Sequence, residues 1–552
     1  MNNRLLHTPD GVRDLYGDEY ERKLTLQLKL HEVLKSFGYK DIETPSFEYF
    51  DIFAGQIGTT PQQELYKFFD NDNNTLVLRP DFTPGIARAA AKYFINEGGP
   101  VKLSYMGNVF ANNSSYQGKL KEKTEVGAEF LGDASAKADA EMIKLTVELL
   151  KESGLTDFQV CIGNAVFFKG LCMEAGLSDS AEIELKDQIS NKNLFASEDI
   201  LRSNNITGAT ADAILRCVEF FGDVTILEEA EKITSNRTAL GAVDRLKQVY
   251  EKLKEFKIEQ YITFDLGMLS KYNYYTGIIF RAYTPAVGEA VIKGGRYDDL
   301  LSKFGKDCPA TGLTLSLDDI CLALNNQQNS SLKSPASNET GSSYLTIALT
   351  KGRLALKTLE RLESIGISCE EMKDKDTRKL IFVNEEKKLK FFLAKGPDVP
   401  TYVEYGAADI GVVGKDTIME ENRKLYEVLD LGFGKCRMCI CGPESAGELL
   451  KHHEMIRVAT KYPRIARDYF QNYKHQTVDI IKLNGSIELA PIVGLSEVIC
   501  DIVETGSTLR ENGLTVLEEV CDLSARMVVN QVSMRLEANR IWEIINALRE
   551  DK

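Results

Sequence analysis

The first 324 residues carry short apolar runs that predict strands, together with helical repeats that lie apart from them. Apolar positions between Asp18 and Gly38 recur at helical spacing and predict a first helix with one buried face, formed by Leu24, Leu28, Val33, Leu34 and Phe37. A second long helix is predicted from about Ser135 to Ser153, and residues 178–258 have a mostly helical pattern. Strands are predicted at Leu76–Leu78, Val101–Met106, Val126–Leu131, Gln159–Ile162, Ile262–Asp265, Gly277–Ala282 and Ala290–Ile292. Strands with helices set apart indicate an α+β fold with an antiparallel sheet.

From residue 344 onward the pattern changes to an alternation of strands and helices. Strands are predicted at Leu345–Leu349, Ile410–Val413, Ile456–Ala459, Val478–Lys482 and in a run that ends at Val503. Helices are predicted near Ala355–Ile365, Arg464–Tyr473 and Ile492–Val498, and again after Thr508. This alternation indicates an α/β fold whose strands are mostly parallel.

A polar segment separates the two patterns. Residues 325–343 read NNQQNSSLKSPASNETGSS and contain only two apolar side chains, Leu332 and Ala336. Such a segment buries too little surface to offset the entropy of ordering it, so we expect a flexible linker. The predicted organisation is a domain over residues 1–324, a linker over 325–343 and a second domain over 344–552, each long enough for its own core.

The composition disfavours several classes of protein, namely nucleic-acid-binding, membrane and zinc-binding proteins. With 67 Lys and Arg against 82 Asp and Glu, the chain has a formal charge of −15, which disfavours general attraction to nucleic acid or anionic membranes. No apolar run is long enough for a membrane span and the N-terminus does not resemble a signal peptide, so a cytoplasmic protein is expected. The cysteine cluster Cys436, Cys439 and Cys441 lies in a predicted strand without a second pair at zinc spacing, which favours buried, reduced thiols over a metal site.

The residues with the clearest chemistry lie between Glu488 and Leu509. An apolar strand ends at Val503 and is followed by a small hydroxyl-rich turn and a helix, for which Ser507 or Thr508 is a candidate N-cap. Successive backbone N–H groups, hydroxyls and a helix dipole suit an anion, most simply a phosphate monoester. Asp501 and Glu504 could accept hydrogen bonds from ribose hydroxyls, and carboxylates beside phosphate suit hydrated Mg²⁺. Taken alone, the turn is better interpreted as a capped turn without a ligand, and only the longer pattern around it changes that interpretation.

A longer pattern resembles the signature of ATP phosphoribosyltransferases. Its residues are Glu488, Gly494, Ser496, Ile499, Asp501, Thr505, Gly506, Thr508 and Leu509. Further blocks of the second part are similar to that family: Leu349–Leu354, Asp398–Val403, Gly406, Asp409–Gly411, Gly414–Asp416 and Leu483–Ser486. The resemblance covers nearly all residues after the linker and implies a two-lobed fold like that of periplasmic binding proteins. Because the chain ends soon after an amphipathic helix, it resembles the short form of the family, which a separate partner protein regulates.

The resemblance implies transfer of phosphoribose from phosphoribosyl pyrophosphate to N1 of the adenine of ATP, with Mg²⁺ carried by the substrate and possible help from Asp501. Asp501 and Glu504 would bind ribose hydroxyls, and the 5′-phosphate would be bound by the turn Thr505, Gly506, Ser507 and Thr508, with Glu488 nearby. Lys351, Gly352 and Arg353 would hold pyrophosphate or triphosphate oxygens, since arginine suits bidentate contact. Asp398 and Asp416 are either further ligands or loop anchors. No general base is required, because N1 attacks with its own lone pair.

The first part resembles histidyl-tRNA synthetase over most of its length. The resemblance rests on Thr8–Asp14, Leu78–Thr83, Asp265 with Tyr274–Gly277, and Gly294–Asp298. It implies a class II aminoacyl-tRNA synthetase fold, an antiparallel sheet flanked by helices.

Three departures remove cations from the ATP site that this resemblance implies. The motif that in the family reads Phe-Arg-x-Glu is Phe110-Ala111-Asn112-Asn113, and the arginine expected before the Tyr-Tyr pair falls on Ser270. The last expected arginine is Asp319, whose charge repels a polyphosphate. The anticodon-binding domain is absent as well, so neither amino-acid activation nor tRNA binding is expected.

The histidine pocket implied by the resemblance is better retained. Asp81 and Thr83 would meet the α-ammonium group, while Glu129 and Tyr275 would bracket the imidazole. Glu125 takes a position where the family usually has glutamine. Tyr274 is implied beside them, although a place in the core is the favoured interpretation. The alternative for the whole set is a group of structural hydrogen bonds inherited from an enzyme.

The two resemblances together imply a regulator and a catalyst in one chain, inhibited by histidine. Since the separate subunits of this family form a hetero-octamer, a homotetramer, or at least a dimer, of fused chains is expected. Two other hypotheses are a tRNA- or histidine-sensing module with an appended nucleotide-binding domain, and a two-lobed solute receptor. The negative charge and the missing anticodon domain count against the first, and the phosphate turn counts against the second.

Overall fold

A computed structural model describes residues 6–54, 60–95, 99–113, 118–269, 274–285, 287–332, 344–373, 379–451 and 455–550. The chain forms two compact units, Met1–Asn338 and Glu339–Lys552. Within the described residues, no helix combines the length and the apolar character needed to cross a membrane.

The first unit is built on a large sheet. Its strands are β1 Lys40–Asp41, β2 Phe47–Tyr49, β3 Lys67–Phe69, β4 Thr75–Leu78, β5 Val101–Phe110, β6 Glu122–Leu131, β7 Gln159–Asn164, β8 Phe221–Gly222, β9 Ile262–Asp265, β10 Ile278–Tyr283, β11 Ile292–Arg296 and β12 Ala310–Ser316. In the described chain, nine of them form one sheet in the order β1-β5-β6-β12-β11-β10-β7-β9-β8. Its pairs are antiparallel except β1–β5 and β7–β9. The predicted antiparallel sheet is confirmed, and β2-β4-β3 form a second small one.

Ten helices lie in the described part of this unit. They are α1 Gly17–Ser36, α2 Thr83–Tyr93, α3 Ala136–Ser153, α4 Ala165–Ala175, α5 Asp179–Ser190, α6 Leu194–Ser203, α7 Ala209–Arg216, α8 Thr225–Lys232, α9 Arg237–Glu255 and α10 Leu317–Leu332. The buried face predicted for α1 is confirmed at Leu34 and wrong at Leu24 and Leu28, which are 40% and 59% exposed; Leu26 and Leu30 are buried with Leu34 instead. Side chains two positions apart in a helix point about 200° away from each other. Leu24 and Leu28 therefore lie on the opposite face from Leu26, Leu30 and Leu34.

The predicted start of the linker is also wrong. Residues 325–332 continue α10 instead of leaving it at Leu324. Gln327 explains part of this extension, because its amide donates to the carbonyl of Gly154 at 3.1 Å and accepts from the backbone N–H of Thr156 at 3.1 Å. The polar end of the helix is therefore attached to the turn that follows α3, a contact that composition alone does not reveal.

The second unit contains two sheets. Its strands are β13 Leu345–Thr350, β14 Ile381–Asn384, β15 Leu389–Ala394, β16 Ile410–Gly414, β17 Tyr426–Asp430, β18 Cys436–Gly442, β19 Ile456–Thr460, β20 Val478–Lys482, β21 Val498–Val503, β22 Thr515–Leu523 and β23 Ala525–Val529. The described strands form one sheet in the order β14-β15-β13-β16-β23-β17 and another in the order β20-β19-β21-β18-β22. Both sheets are mixed, so the prediction of mostly parallel strands is wrong: β13, β15 and β16 pair in parallel, as do β19, β20 and β21, and the remaining pairs are antiparallel.

The helices of this unit are short apart from the first and the last. They are α11 Arg353–Ser364, α12 Val399–Glu404, α13 Lys415–Glu421, α14 Ala446–Lys451, α15 Pro463–Arg467, α16 Leu489–Ile492, α17 Ser507–Glu511, α18 Ser533–Leu536 and α19 Ala538–Glu550. The helix predicted at Ile492–Val498 is wrong: α16 ends at Ile492 and residue 498 begins β21. Each sheet has its own hydrophobic core, so the unit consists of a first lobe around β13–β17 with β23, and a second lobe around β18–β22.

A buried charge network holds the first unit together behind its sheet. Asp139 on α3 is completely buried and accepts hydrogen bonds from Arg245 on α9 at 2.7 and 2.8 Å. The same carboxylate accepts from Arg296 on β11 at 2.9 Å. Two helices and the sheet therefore share one carboxylate, and the residue that follows Arg296 is Tyr297, which reaches the pocket described below.

Replacing Asp139 by Asn is expected to destabilise the first unit by about 3 kcal/mol, because the buried guanidinium of Arg296 and the partly buried guanidinium of Arg245 lose the buried carboxylate that they share. Urea unfolding followed by circular dichroism tests this, since it reports both units. The fluorescence of Trp542, the chain's single tryptophan, reports the core of the second unit and should change less. Asp212→Asn, on the exposed face of α7, is the matched control. Equal midpoints for the two variants would contradict the prediction.

Candidate functional site

The hydroxyl-rich turn of the second lobe lies between β21 and α17. Residues 504, 505, 507 and 508 are exposed, and the hydroxyl oxygens of Thr505 and Ser507 are 3.1 Å apart. The N-cap predicted at Ser507 or Thr508 is wrong, because α17 begins at Ser507 and Gly506 occupies the cap position. Gly506 has φ +70°, a conformation that glycine adopts without strain, which explains why glycine stands at the bend.

Asp501 lies near the end of β21 and is largely withdrawn from water. Its Oδ1 accepts the backbone N–H of Ile502 at 2.8 Å. Burial, together with the negative charge of Glu488, raises the pKa of Asp501 to about 6, although the hydrogen bond from Ile502 and the charge of Lys461 oppose the shift. A carboxylate that ionises near pH 6 beside a second carboxylate is well suited to accept hydroxyl hydrogen bonds or to face a cation.

The basic turn of the first lobe approaches the hydroxyl-rich turn of the second. Lys351, Gly352 and Arg353 follow β13 and are all exposed. The guanidinium of Arg353 lies 3.5 Å from the carboxylate of Glu504, with both side chains more than half exposed. The structure thus brings together two predicted groups of residues that lie about 150 positions apart in the sequence.

The two remaining predicted aspartates have different surroundings. Asp416 lies in α13, and its Oδ2 accepts from the hydroxyl of Thr417 at 3.4 Å. A Cβ at Gly414 would lie 2.2 Å from Oδ1 of Asp416, so glycine makes room for this carboxylate. Asp398 is exposed before α12 and makes no side-chain cap to that helix within the described backbone. Asp416 thus lies at the start of α13, and Asp398 is the last residue of a short 3-10 helix, Gly396–Asp398.

Tyr462 is a cleft residue that the sequence reasoning missed. It follows β19, is 7% exposed, and its backbone N–H donates to the hydroxyl of Thr460 at 2.8 Å. Burial raises the pKa of Tyr462, and the charges of Asp416 and Asp501 raise it further, which places its hydroxyl between the two lobes. One signal was available: Tyr462 follows a strand parallel to β21, and the carboxyl ends of parallel strands share one edge of the sheet.

Glu420 on α13 forms a second link between the lobes. Its carboxylate accepts the backbone N–H groups of Arg464 at 3.0 Å and of Ile465 at 3.2 Å, at the start of α15. Burial raises the pKa of Glu420 despite these hydrogen bonds. A half-buried carboxylate from the first lobe therefore holds the first turn of a helical segment in the second lobe.

The candidate pocket of the first unit is centred on Glu129, which is 1% exposed on β6. Thr83, the first residue of α2, donates to its Oε1 at 2.8 Å, and the hydroxyl of Tyr297 donates to its Oε2. A Cβ at Gly312 would lie 1.7 Å from Oε2, so only glycine leaves space for the carboxylate. Burial raises the pKa of Glu129 to about 8, although the two hydrogen bonds oppose the shift. Tyr297 entered the sequence reasoning only as part of a motif, and the structure adds it to the pocket.

Glu125 shares a strand face with Glu129, because the two residues are four positions apart along β6 and side chains alternate between faces. Burial raises the pKa of Glu125 to about 7, and the negative charge of Asp81 contributes to the shift. Asp81 also raises the pKa of Glu129, so this carboxylate is close to both glutamates. The structure therefore brings Asp81, Thr83, Glu125 and Glu129 together as predicted residues of one pocket.

The two predicted tyrosines border this pocket. Tyr274 is 8% exposed and stacks on Tyr297 with ring centroids 5.3 Å apart, within the hydrophobic core. Tyr275 packs edge-on against Tyr274 at 5.0 Å, and a Cβ at Gly295 would lie 2.7 Å from its ring. Burial raises the pKa of Tyr275 to about 12, so its hydroxyl stays protonated at neutral pH and can donate.

The region where the family resemblance implies an ATP site is occupied by internal ion pairs. Asp319 pairs with Lys123 at 3.2 Å, and Lys119 pairs with Glu289 at 3.1 Å. Asp318 accepts from the backbone N–H of Thr124 at 2.7 Å and pairs with Lys23 at 2.6 Å. Ser270, another of the three departures, lies outside the described residues. The lysines here are neutralised by carboxylates of the same unit and offer less charge to a polyphosphate.

The cysteine cluster lies in β18, as its apolar pattern predicts. Cys439 and Cys441 are buried and Cys436 is partly buried. Burial raises the pKa of Cys439, and it raises that of Cys441 to about 12, so both thiols stay protonated at neutral pH. Among the described residues, no group of three or more His, Cys, Asp or Glu side chains is arranged to hold a metal ion.

Comparisons with known proteins match the two units to two different families. The family profile described as histidyl-tRNA synthetase matches residues 11–320, and the profile described as ATP phosphoribosyltransferase matches residues 395–550. An ATP phosphoribosyltransferase of Lachnoclostridium phytofermentans is 78% identical over 207 residues, which is 38% of this chain and 96% of that protein. An ATP phosphoribosyltransferase regulatory subunit of Ruminiclostridium cellulolyticum is 39% identical over 324 residues, which is 59% of this chain and 77% of that protein.

A crystal structure described as an ATP phosphoribosyltransferase regulatory subunit/histidyl-tRNA synthetase from Bacillus halodurans is also similar. It is 26% identical, has a TM-score of 0.55, and the match covers 71% of this chain and 99% of that one. Fold and sites thus define a fusion of a class II synthetase-like unit with a transferase unit. The chain belongs to the ATP phosphoribosyltransferase family, with the catalytic unit at its C-terminal end and a unit of the histidyl-tRNA synthetase family, similar to the regulatory subunits, before it.

Proposed function

We propose that the second unit transfers the phosphoribosyl group of phosphoribosyl pyrophosphate to N1 of the adenine of ATP, and that the first unit inhibits this reaction when it binds histidine. The observation that carries the catalytic part is the approach of Arg353 to Glu504, at 3.5 Å, across the two lobes. This approach supports a cleft that is lined by the basic turn, the hydroxyl-rich turn and Asp501. Such a two-lobed cleft, like that of periplasmic binding proteins, can hold two substrates face to face.

The hydroxyl-rich turn is proposed to bind the 5′-phosphate. Thr505, Ser507 and Thr508 present exposed hydroxyls, and Gly506 lets the backbone approach the phosphate closely. Asp501 and Glu504 accept hydrogen bonds from the ribose hydroxyls, with Glu488 behind Asp501. The substrate is thereby fixed through its phosphate and its sugar on one side of the anomeric carbon.

The basic turn is proposed to hold the leaving group. In the reaction the anomeric C–O bond breaks, its electron pair leaves with pyrophosphate, and the N1 lone pair forms the new C–N bond. No proton has to be transferred to complete this step. Lys351 and Arg353 stabilise the negative charge that develops on pyrophosphate, so the rate enhancement comes from positioning and charge stabilisation.

Mg²⁺ is the proposed cofactor, and the residues of the cleft fit it. The charge of Glu488 raises the pKa of Asp501, so the two carboxylates are close to each other. Mg²⁺ is typically held by one or two carboxylates together with substrate phosphates, which matches a cleft that supplies the protein oxygens and a substrate that supplies the rest. When bound, the ion neutralises part of the pyrophosphate charge.

The histidine pocket is proposed on the geometry around Glu129. Glu129 and Tyr275 offer an acceptor and a hydroxyl to the two imidazole nitrogens, while Asp81, Thr83 and Glu125 surround the α-ammonium group. Tyr274 supports the ring of Tyr297, which in turn donates to Glu129. Inhibition requires that histidine favours a state of the chain in which the second unit is less active.

We further propose a cytoplasmic homo-oligomer, a dimer or tetramer of fused chains, that does not bind tRNA. Fusion joins one regulator to one catalyst in each chain and raises the local concentration of each for the other. Light scattering of the purified chain measures the oligomer directly, and a monomeric mass would contradict this part of the proposal.

The direct test is the formation of phosphoribosyl-ATP by the whole chain supplied with ATP, phosphoribosyl pyrophosphate and Mg²⁺. Product is expected, and histidine is expected to reduce the rate. A chain that forms no product would overturn the catalytic proposal. A chain that forms product at a rate independent of histidine would overturn only the regulatory part.

Replacing Glu420 by Ala is expected to raise the KM for both substrates about fivefold, with a smaller change in kcat. The reason is that the backbone N–H groups of Arg464 and Ile465 lose their acceptor, a loss of about 1 kcal/mol by analogy with helix N-caps, and the lobes are held together less firmly. Steady-state kinetics with each substrate in turn measures the effect. Glu421→Ala, on the same helix, is the matched control, and equal KM values for the two variants would contradict the prediction.

A further inference from the structure

The turn between α5 and α6 contains a lysine in a backbone conformation that glycine usually adopts. Lys192 has φ +56°. Its N–H donates to the carbonyl of Ile189 at 3.0 Å, and the N–H of Asn193 donates to the carbonyl of Gln188 at 2.9 Å. This pair of hydrogen bonds is the Schellman pattern at a helix C-terminus, in which the left-handed residue is most often glycine. A lysine at this position carries backbone strain that glycine would avoid, so we expect its side chain to have a compensating role.

The side chain of Lys192 is buried and joins separate elements of the first unit. Its Nζ donates to the carbonyl of Val218 at 2.9 Å and to Oδ1 of Asp265 at 2.8 Å. The side chains of Lys192 and Asp265 are only 1% and 0% exposed. Val218 lies in the turn between α7 and β8, whereas Asp265 is the last residue of β9. One ammonium group therefore ties two turns of the helical region to the large sheet.

Stability alone does not explain this buried ion pair. Removing two charges from water costs free energy that their attraction only partly returns, and well-packed apolar side chains in the same place are often as stable. Glycine at position 192 would also relieve the strain of the turn. The ion pair of Lys192 with Asp265 is therefore better explained by what it holds in place.

Asp265 begins a short stretch of chain, residues 265–269, which we call the connecting segment. Oδ1 of Asp265 accepts the backbone N–H of Gly267 at 2.9 Å, in addition to the ammonium group of Lys192. A Cβ at Gly267 would lie 2.4 Å from the carbonyl oxygen of Cys217 and 3.0 Å from Nζ of Lys192. The connecting segment is thus packed closely against the ammonium group and against the turn before β8.

The last residue of the connecting segment reaches the tyrosine side of the pocket through Arg281. Nη2 of Arg281, on β10, donates to the carbonyl of Leu269 at 3.5 Å. Burial raises the pKa of Tyr275 to about 12 and the charge of Arg281 opposes this shift, so the guanidinium lies near the tyrosine hydroxyl. Contacts between described residues therefore lead from Lys192 through the connecting segment to Arg281 and Tyr275.

We infer that Lys192 is a positioning residue of the histidine pocket: through Asp265 it fixes the connecting segment and Arg281, and thereby holds Tyr275 where the imidazole of the ligand meets it. This role rests on the proposed histidine pocket and extends it to a residue of the helical region. Because linkage is reciprocal, bound histidine must in turn stabilise the contact of Lys192 with Asp265.

The test removes both charges at once, so that neither is left unpaired in the interior. Lys192→Met combined with Asp265→Asn keeps an acceptor for the N–H of Gly267 but loses the link to the helical region. Titration calorimetry of the full chain is expected to show histidine binding about 10-fold more weakly, a size typical of residues that act through a chain of contacts. Formation of phosphoribosyl-ATP without histidine should match wild type. Lys169→Met combined with Asp212→Asn makes the same changes at exposed positions of α4 and α7 and should bind histidine as wild type does.

Hydrogen exchange supplies a readout that a purely structural role of Lys192 would not change. Histidine is expected to slow the exchange of the backbone amides of residues 188–193 in the wild type and in the control. In the double variant at positions 192 and 265, histidine is expected to leave the exchange of these amides unchanged, because the turn is no longer linked to the pocket.

The outcomes separate this inference from the proposed function. Histidine affinity of the double variant equal to that of wild type overturns the inference and leaves the histidine pocket in place. A wild-type chain that does not bind histidine overturns the regulatory proposal and the inference with it. Exchange at residues 188–193 that is the same with and without histidine in the wild-type chain also overturns the inference, and this measurement decides if the double variant loses its native circular dichroism spectrum.

Discussion

Replacing Asp501 by Asn is expected to lower kcat/KM for phosphoribosyl pyrophosphate by about 100- to 1,000-fold, an effect of the size seen when a preorganised electrostatic group is removed. Asp501 lies near the end of β21, where burial raises its pKa and Glu488 contributes a second negative charge. The amide keeps the shape of the side chain but loses the charge and one acceptor. The loss should appear mainly in kcat if Asp501 acts on the transition state, and mainly in KM if it only binds ribose.

Asp479→Asn is the control for this variant. Asp479 lies exposed on β20 in the same lobe, so its substitution changes the same chemical group far from the cleft. Activity within about threefold of wild type is expected for the control. A similarly mild effect of Asp501→Asn would remove Asp501 from the set of catalytic residues and leave the hydroxyl-rich turn as the main determinant of substrate binding.

The pH profile gives an independent test of the same residue. Because the pKa of Asp501 is raised to about 6, the carboxylate is ionised above pH 6 and becomes protonated below it. The group acts as an acceptor, so kcat/KM should decline tenfold per pH unit below about pH 6. Substrate phosphates also titrate in this range. The comparison is therefore made with Asp501→Asn, in which the part of the decline due to the carboxyl group should disappear.

The local sequence pattern correctly predicted those helices and strands in which the apolar residues themselves show which face is buried. The strand Ile262–Asp265 and the helix near Ser135–Ser153 lie where the pattern predicts them. Pattern alone was misleading where a segment has two ways to be buried. Helix α1 carries leucines on opposite faces, and only packing against the rest of the unit decides that Leu26, Leu30 and Leu34 are the buried set.

Glycine-rich and polar segments show the same limit. The strand predicted at Ala290–Ile292 lies instead at Ile292–Arg296. The prediction stopped too early because glycines disfavour a strand, and the observed strand contains Gly294 and Gly295. A Cβ at Gly294 would lie 2.3 Å from the ring of Phe280, so the glycines in this strand are explained by neighbouring rings and not by a turn. The polar end of α10 is helical for a similar reason, since Gln327 contacts the turn after α3. Such contacts join residues far apart in the chain and leave no periodic signal.

The candidate sites could be predicted as far as they consist of motifs. Asp501, the hydroxyl-rich turn and Lys351 to Arg353 are recognisable in the sequence, and the fold brings Arg353 within 3.5 Å of Glu504. Tyr462 and Glu420 were missed. Each interacts with a residue of the other lobe, and the sequence of one segment does not show which residues of two lobes will meet. Tyr297 was underestimated in the same way, since its hydroxyl meets Glu129 only after β11 and β6 enter one sheet.

Replacing Glu129 by Ala is expected to weaken histidine binding by at least about 100-fold. The substitution removes a buried acceptor that Thr83 and Tyr297 hold in place, and the hydroxyls of both residues then lose their acceptor in the pocket. Binding is measured by titration calorimetry, and inhibition is expressed relative to the uninhibited rate of each variant. Glu122→Gln, at the first residue of the same strand, serves as the control, since Glu122 accepts from Asn108 at 2.7 Å. Circular dichroism checks the fold of each variant.

Two milder variants separate charge from shape at this position. Burial raises the pKa of Glu129 to about 8, so the empty pocket contains mainly a neutral carboxylic acid at pH 7. If the bound imidazole meets this neutral form, Glu129→Gln should resemble wild type more than Glu129→Ala does, with a loss of about 10-fold. Tyr297→Phe removes one supporting hydrogen bond and should cost about 5- to 10-fold, close to the usual value of a single buried hydrogen bond. Unchanged histidine affinity in Glu129→Ala would place the ligand away from Glu129, and the inhibitory site would then have to lie elsewhere in the chain.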